Sequence, residues 1–436
     1  MLDIQRFRAE YGGDPEVVRE SQRRRGADEK IVNAVVEADK VWRAAQHTLQ
    51  HVRGDLSKAK AAAHAARTER PDEAAQQLEQ VRLLTAAAAS AAESEAKAQA
   101  QVFGALLGIG NLVHEHAPLR GDVSGESNGD HEPAVATPVT SRRAERDRAA
   151  LPPLVKSLVG AELAEPCGAG SWRPTGRGLL LREQAACLAL SHLAERGYSL
   201  LAMPMQTPSA RLQRLAKMGV PLAGASPLHE REQRKEEGEE QQQQYKEQYD
   251  HRGAVVDCAW DVLASRHGGE WLQQQQLPLR YAMLRPVASQ DGGGGESSGV
   301  EVCVCEVWPD DGGSWEALDA LVELSIDLHG RLGIGARRSE VAAPRLRHAE
   351  ARAFRLVAAA SAASVSVELG RVASHVDFDS RRLEVRCGAK QLLSRTKRYV
   401  HVLHATVLRP SSCLLALAAV APDGLPQSAS CKWPGL

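Results

Sequence analysis

Apolar or small residues recur at Ile31, Val35, Ala38, Trp42, Ala45, Leu49, Val52, Leu56, Ala59 and Ala63. The steps alternate between four and three, which is the spacing of one coiled-coil seam. A break at Arg70-Pro71-Asp72 separates this run from an Ala-rich one that carries Val81, Leu84, Ala88, Ala91, Ala98 and Val102 on one face. Helix, tight break, helix predicts a long antiparallel hairpin ending near Gly104. A helix from Asp28 to Arg70 reaches roughly 60 Å at 1.5 Å per residue, too far to pack on one small domain. Ahead of it, Asp14-Pro15 predicts a helix start, with a capping side chain and proline at the first helical position.

Beyond Pro118 the pattern changes. Residues 117–150 are rich in Pro, Gly, Ser and charge, without an apolar period, and predict a linker. A second domain starts near Leu151. Gly178 to Tyr198 has helical periodicity through Leu181, Ala185, Leu188 and His192. Leu200 to Pro204 predicts a short buried strand, and Val300 to Trp308 alternates as a strand. Trp315 to Leu332 predicts an amphipathic helix, Leu383 to Arg386 and Tyr399 to His404 two strands, and Ser412 to Val420 an apolar closing helix. Residues 229–250 are charged and low in complexity, and 291–299 are glycine-rich; both predict exposed insertions. Strands and helices mix without strict alternation, so the expected class is α+β, an antiparallel sheet flanked by helices.

Composition narrows this only a little. The 436 residues allow two or three domains. A net charge of −1 argues neither for nor against nucleic acid. None of the eight cysteines forms a C-x-x-C pair; Cys303 and Cys305 share one face of a strand and read as buried thiols. His401 and His404, three apart on a strand, fall on opposite faces, so no metal site is expected there. Arg23, Arg24 and Arg25 splay over three directions and predict a solvated surface. His192, on an apolar helix face, predicts a core or interface histidine. No apolar run approaches the length of a membrane span, and the N-terminus, with Asp3 and Glu10, lacks a leader's apolar stretch. The expected location is the cytoplasm.

Several blocks carry a resemblance. MLDI, the Gly12-Gly13-Asp14-Pro15-Glu16 turn, VRESQRRR (Val18 to Arg25), Asp39 to Arg43 and IGNLVHEHAP (Ile109 to Pro118) resemble the N-terminal arm of cytosolic seryl-tRNA synthetases. The helix from Gly178 with ERGYSLLAMP (Glu195 to Pro204), LPLRYA (Leu277 to Ala282), VDFDSRRLEVR (Val376 to Arg386) and KRYVHVLHAT (Lys397 to Thr406) resemble, in order, the surroundings of the three class II synthetase motifs. The resemblance implies a helical arm over 1–116, a linker over 117–150 and a class II synthetase-like domain over 151–436. It further implies a homodimer, or a heterodimer with an active paralogue, and serine tRNA as the partner of the arm.

Forming a seryl adenylate requires arginines on the phosphates, carboxylates for magnesium and the serine amine, and small polar groups for the serine hydroxyl. At the positions where the resemblance places them, this chain has other residues. Asp257 and Ala259 stand at the Thr-x-Glu of the serine loop. Ser289 and Asp291 stand at the arginine and glutamate of the second motif, with Arg285 several residues early. Glu301 and Pro309 lie nearest the next strand's arginine and glutamate, Arg371 stands at a glutamate, and Ser412 at the third motif's arginine. The resemblance therefore implies a member without retained catalytic residues, keeping arm and dimer scaffold. A working serine–tRNA ligase using ATP and Mg2+ is the alternative, and a protein scaffold without RNA contact the second. On the arm, Arg53, Lys58, Lys60, Arg67 and Arg70 make a net basic stretch, while the return helix is acidic. RNA binding and an ordinary solvated coiled-coil face are both open for it.

Overall fold

The computed structural model describes residues 1–69, 71–119, 123–124, 155–168, 171–202, 262–288, 298–310, 312–358, 367–388 and 397–420. They form two compact units, Met1–Val113 and His114–Leu436.

In the first unit, α1 (Pro15–Arg25) is followed by α2 (Lys30–Glu69) and α3 (Pro71–Leu107). Asp14 caps α1 by accepting the Glu16 N–H at 2.9 Å, with Pro15 in the first turn. Gly13 cannot carry a side chain, because a Cβ there would lie 2.1 Å from the Gln5 carbonyl oxygen. The heptad forms the packed face of α2, since every seam position from Ile31 to Ala63 is buried or half-buried. Across the hairpin, Trp42 Nε1 donates to Glu95 at 2.7 Å, and its ring lies 6.4 Å from that of Phe103. The return helix continues three residues past Gly104. The Arg23–Arg25 run is only partly a solvated surface. Arg23 pairs with Glu16, Glu20 and Glu29 in the open, but Arg25 Nε donates to the Asn111 carbonyl at 2.9 Å and helps hold the segment after α3 against α1. Ser21 and Gln22 assist, donating to the carbonyls of Asn111 and Gly110.

One buried charge organises the base of this unit. Asp39 is 2% exposed. It accepts Arg8 Nε at 2.9 Å and Nη2 at 2.6 Å, and Arg43 Nε lies 3.0 Å away. Arg8 in turn sits over the Trp42 ring. The Asp39-to-Arg43 run thus ties the first residues of the chain to the hairpin.

The second unit contains, in chain order, β1 (Val123–Ser124), β2 (Ala164–Gly168), β3 (Ser171–Pro174), α4 (Gly176–Glu195), β4 (Ser199–Ala202), β5 (Trp271–Leu272), β6 (Leu279–Ala288) and β7 (Ser298–Trp308). Then come α5 (Gly313–Arg331), β8 (Ala336–Glu340), β9 (Arg352–Ala358), β10 (Val367–Val376), α6 (Phe378–Arg382), β11 (Arg386–Cys387), β12 (His401–Leu408) and α7 (Pro410–Val420). Among the described residues, eight strands make one sheet in the order β1-β8-β9-β10-β12-β7-β6-β4, antiparallel except for the β4–β6 pair. Alternation divides the side chains between two faces. Ala282, Val302, Val304, Leu403 and Ala405 join α4, α5 and α7 in the larger core. Tyr281, Met283, Cys303, Cys305 and Val402 point the other way into a smaller cluster. The two cysteines do share a face and are fully buried thiols.

Two expectations need correction, and three strands were not expected. Among the described residues the strand at Leu200 is an edge rather than a buried strand: β4 pairs there only with β6, and Leu200 is 49% exposed. Leu383 to Val385 belongs to the turn after α6, leaving Arg386–Cys387 as the strand. β8, β9 and β10 carry no alternation to announce them, because β9 and β10 are covered on both faces and a register shift between Glu368 and Gly370 interrupts the period. Among the described residues no helix is long and apolar enough to cross a membrane.

Replacing Asp39 by Ala leaves two guanidiniums without their buried acceptor. We expect a loss of about 3–5 kcal/mol from the first unit, read as a lower urea midpoint for the helical signal of the full chain. An unchanged midpoint would show that the pair contributes nothing net.

Candidate functional site

The sheet face opposite α4, α5 and α7 ends in a ladder of charge. Arg285 on β6 lies directly across from Glu301 on β7, and its Nη2 donates to Glu301 Oε2. Arg409, one residue past β12, donates through Nε to Glu301 Oε1 at 2.8 Å and through Nη1 to Glu368 Oε1 at 2.7 Å. Glu368 Oε2 lies 3.6 Å from Arg355 Nη1 on β9. A second pairing adjoins the first: Arg371 on β10 donates Nε and Nη2 to the two oxygens of Glu350 at 2.7 and 2.5 Å.

Backbone irregularities put these groups together. β10 has a bulge between Glu368 and Gly370, and β12 one between Thr406 and Leu408. At Gly370 the two strands approach so closely that a Cβ would meet the Thr406 carbonyl oxygen at 2.4 Å. The Arg409 N–H donates to the Leu369 carbonyl at 3.0 Å, fixing the arginine beside Glu368.

Electrostatics follow from burial and pairing. Burial pushes the Glu301 carboxyl up, but Arg409 and Arg285 outweigh it and hold the group below the usual carboxylate range. Glu350, 1% exposed, is likewise pushed up by burial and brought below its ordinary value by Arg371 and the Arg347 N–H. Burial acts against the charge of Arg409, and Glu368 with Glu301 overcomes it, so its pKa is raised. Arg355 goes the other way, lowered by burial with a contribution from Arg371, its direct cross-strand neighbour.

Further along the same face, His375 Nδ1 lies 2.5 Å from Asp379 Oδ2, and its ring is 5.8 Å from that of His404. His401 bonds Ser314 of α5 on the opposite face, as the strand spacing predicts. His192 is buried beside Arg196, and burial followed by that charge lowers its pKa. His114, Glu115 and His116 bring one donor each within 4.8 Å on a single turn, where His114 Nδ1 already faces the His116 N–H at 3.3 Å.

Of the residues singled out in the sequence, Asp257, Ala259, Ser289 and Asp291 lie outside the described residues. Arg371 is on the face of interest but engaged by Glu350. Ser412 is half-buried in the first turn of α7. Arg409, three residues before it, is the guanidinium that comparison position by position overlooks, and Glu368, three residues before Arg371, the overlooked carboxylate. On α2, Arg53, Lys58 and Lys60 are exposed, with Lys58 3.6 Å from Asp55. Arg53 and Lys60 are seven apart and share a helix face. The Arg67 side chain and all of Arg70 fall outside the described residues.

Comparison with known proteins places this geometry. The Seryl-tRNA synthetase N-terminal domain family model matches residues 1–113. The Serine--tRNA ligase of Helianthus annuus is 27% identical over 433 residues, covering 95% of this chain and 92% of its own length. The cytoplasmic Serine--tRNA ligase of Arabidopsis thaliana is 28% identical over 435 residues, covering 95% and 90%. Two solved structures share the fold. The cytoplasmic serine-tRNA ligase of Naegleria fowleri in complex with AMP has a TM-score of 0.66 at 21% identity, covering 96% of this chain and 93% of that one. The seryl-tRNA synthetase of Pyrococcus horikoshii complexed with ATP has a TM-score of 0.70 at 18% identity, covering 96% and 94%. The first unit is thus matched by the Seryl-tRNA synthetase N-terminal domain, and the chain is similar to serine–tRNA ligases through nearly its whole length.

Proposed function

We propose that this member has given up serine activation and keeps the arm and the synthetase scaffold for binding serine tRNA or a protein partner in the cytoplasm. One observation carries the reading: Arg285, Arg355, Arg371 and Arg409 each face a carboxylate of the protein itself. A donor stabilises charge developing in a transition state only if it is aimed there and available. Here a phosphate would first have to displace a partly buried carboxylate and leave it unpaired, which costs several kcal/mol per ion. Loss of a single such donor commonly costs ~10²–10³ in rate, and in this arrangement several act as one unit.

Support for the scaffold comes from α4 and β4. Leu179 and Leu180 on α4 are 40 and 50% exposed, and Leu200 on β4, the last strand of the sheet among the described residues, is 49% exposed; a second copy or an active paralogue would cover them. A second reading, an active ligase with ATP and Mg2+, is favoured by the relatives named serine–tRNA ligases and by the four guanidiniums still on the face.

Serine-dependent exchange of pyrophosphate into ATP separates the two. The full chain is expected to show none above background, and robust exchange would replace the first reading with the second.

For the arm, binding to a tRNA with a long variable arm should weaken as salt rises, and more so than for a short-armed tRNA. Replacing Arg53 and Lys60 together by Ala should reduce the slope of log affinity against log salt by about two. Equal, salt-insensitive binding of both tRNAs would favour a scaffold without RNA contact.

A further inference from the structure

We propose that the Arg409 guanidinium is a built-in replacement for a divalent cation between Glu301 and Glu368, so that these two carboxylates take no Mg2+. This goes beyond the loss of serine activation and rests on geometry alone. β12 lies between β10 and β7 and runs antiparallel to both. Its far end therefore meets the starts of the other two, where Glu368 and Glu301 stand. One oxygen of each carboxylate takes a different N–H of the same guanidinium, at 2.7 and 2.8 Å. Two carboxylates converging on one small volume is a donor set that suits a hard cation with oxygen ligands.

The site does not fit that ion, because its oxygens are already engaged. Glu301 Oε2 accepts Arg285, with the Thr406 hydroxyl at 3.4 Å. Glu368 Oε2 faces Arg355 at 3.6 Å. The nearby Glu350 has both oxygens on Arg371, and Oε2 also accepts the Arg347 N–H at 2.7 Å. Mg2+ requires ligand oxygens at about 2.0–2.1 Å in near-octahedral geometry, and the guanidinium stands where it would have to be. The backbone bond from Arg409 to Leu369 and the close approach at Gly370 make this placement a property of the sheet rather than of a free side chain. Removing the guanidinium should turn a closed ion pair into an open cation site.

Mn2+ titrated into the full-length protein and followed by the EPR signal of the free ion tests this, with Mn2+ as the probe for Mg2+. The wild type is expected to bind no Mn2+ that Glu368→Gln removes. Arg409→Ala should gain one Mn2+, held at least about tenfold tighter than any on the wild type, and lose it again when combined with Glu368→Gln. Mn2+ held elsewhere is common to all variants and cancels. A thermal melt adds a second readout: Mn2+ should raise the melting temperature of Arg409→Ala, and KCl at equal ionic strength should not. A stoichiometric Mn2+ on the wild type that Glu301→Gln or Glu368→Gln abolishes would overturn the proposal, as would equal affinities for wild type and Arg409→Ala. If Arg409→Ala does not fold, Arg409→Met, closer in volume, takes its place, and the wild-type comparison decides by itself. The titration contains neither serine nor nucleotide, so its result is read separately from pyrophosphate exchange.

Discussion

Glu301 is bonded from both sides of its own strand. Arg285 reaches it from β6, and Arg409 from the end of β12. A buried carboxylate without a cation is costly, and breaking such a pair costs more than the pair itself contributes. Three neighbouring strands are therefore held in one register at this end of the sheet by a single side chain. Arg409 then extends the constraint to β10 through Glu368, and Glu368 extends it to β9 through Arg355. Arg371 lies directly across from Arg355, where like charges repel. Its bidentate bond to Glu350 relieves that contact and completes the face.

The same rigidity bears on chemistry. Catalysis by charge stabilisation depends on donors held in place before the substrate arrives. The ladder has that preorganisation, but its acceptors are part of the protein. The apolar opposite face, where Ala282, Val302 and Val304 meet α4 and α5, holds the strands against any shift that would free them. A phosphate competes here with carboxylates whose effective concentration is set by the fold, and whose release exposes a desolvated charge.

The hairpin was legible in the sequence because it repeats: ten seam positions obey one period, and each is buried or half-buried in the structure. The class of the second unit was legible from its strand and helix pattern and from the ordered motif-like blocks. The charge ladder was not. Glu301 and Arg409 are more than a hundred residues apart and meet only through the β7–β12 register, which hydrophobic pattern does not specify. Two bulges, at Glu368/Gly370 and Thr406/Leu408, then decide which side chains face which way. Matching one position to one position finds Ser412 where an arginine is expected, and misses a cation supplied from three residues earlier.

Near Glu301 the resemblance implies an arginine, a side chain of the opposite charge. A carboxylate alone would leave a buried anion beside the acidic Glu368, and the sheet would be strongly destabilised. Instead Arg285 and Arg409 enclose the carboxylate, and its remaining contact goes to the Thr406 hydroxyl. A face whose buried charges are paired across four strands is one on which the folding of the sheet depends.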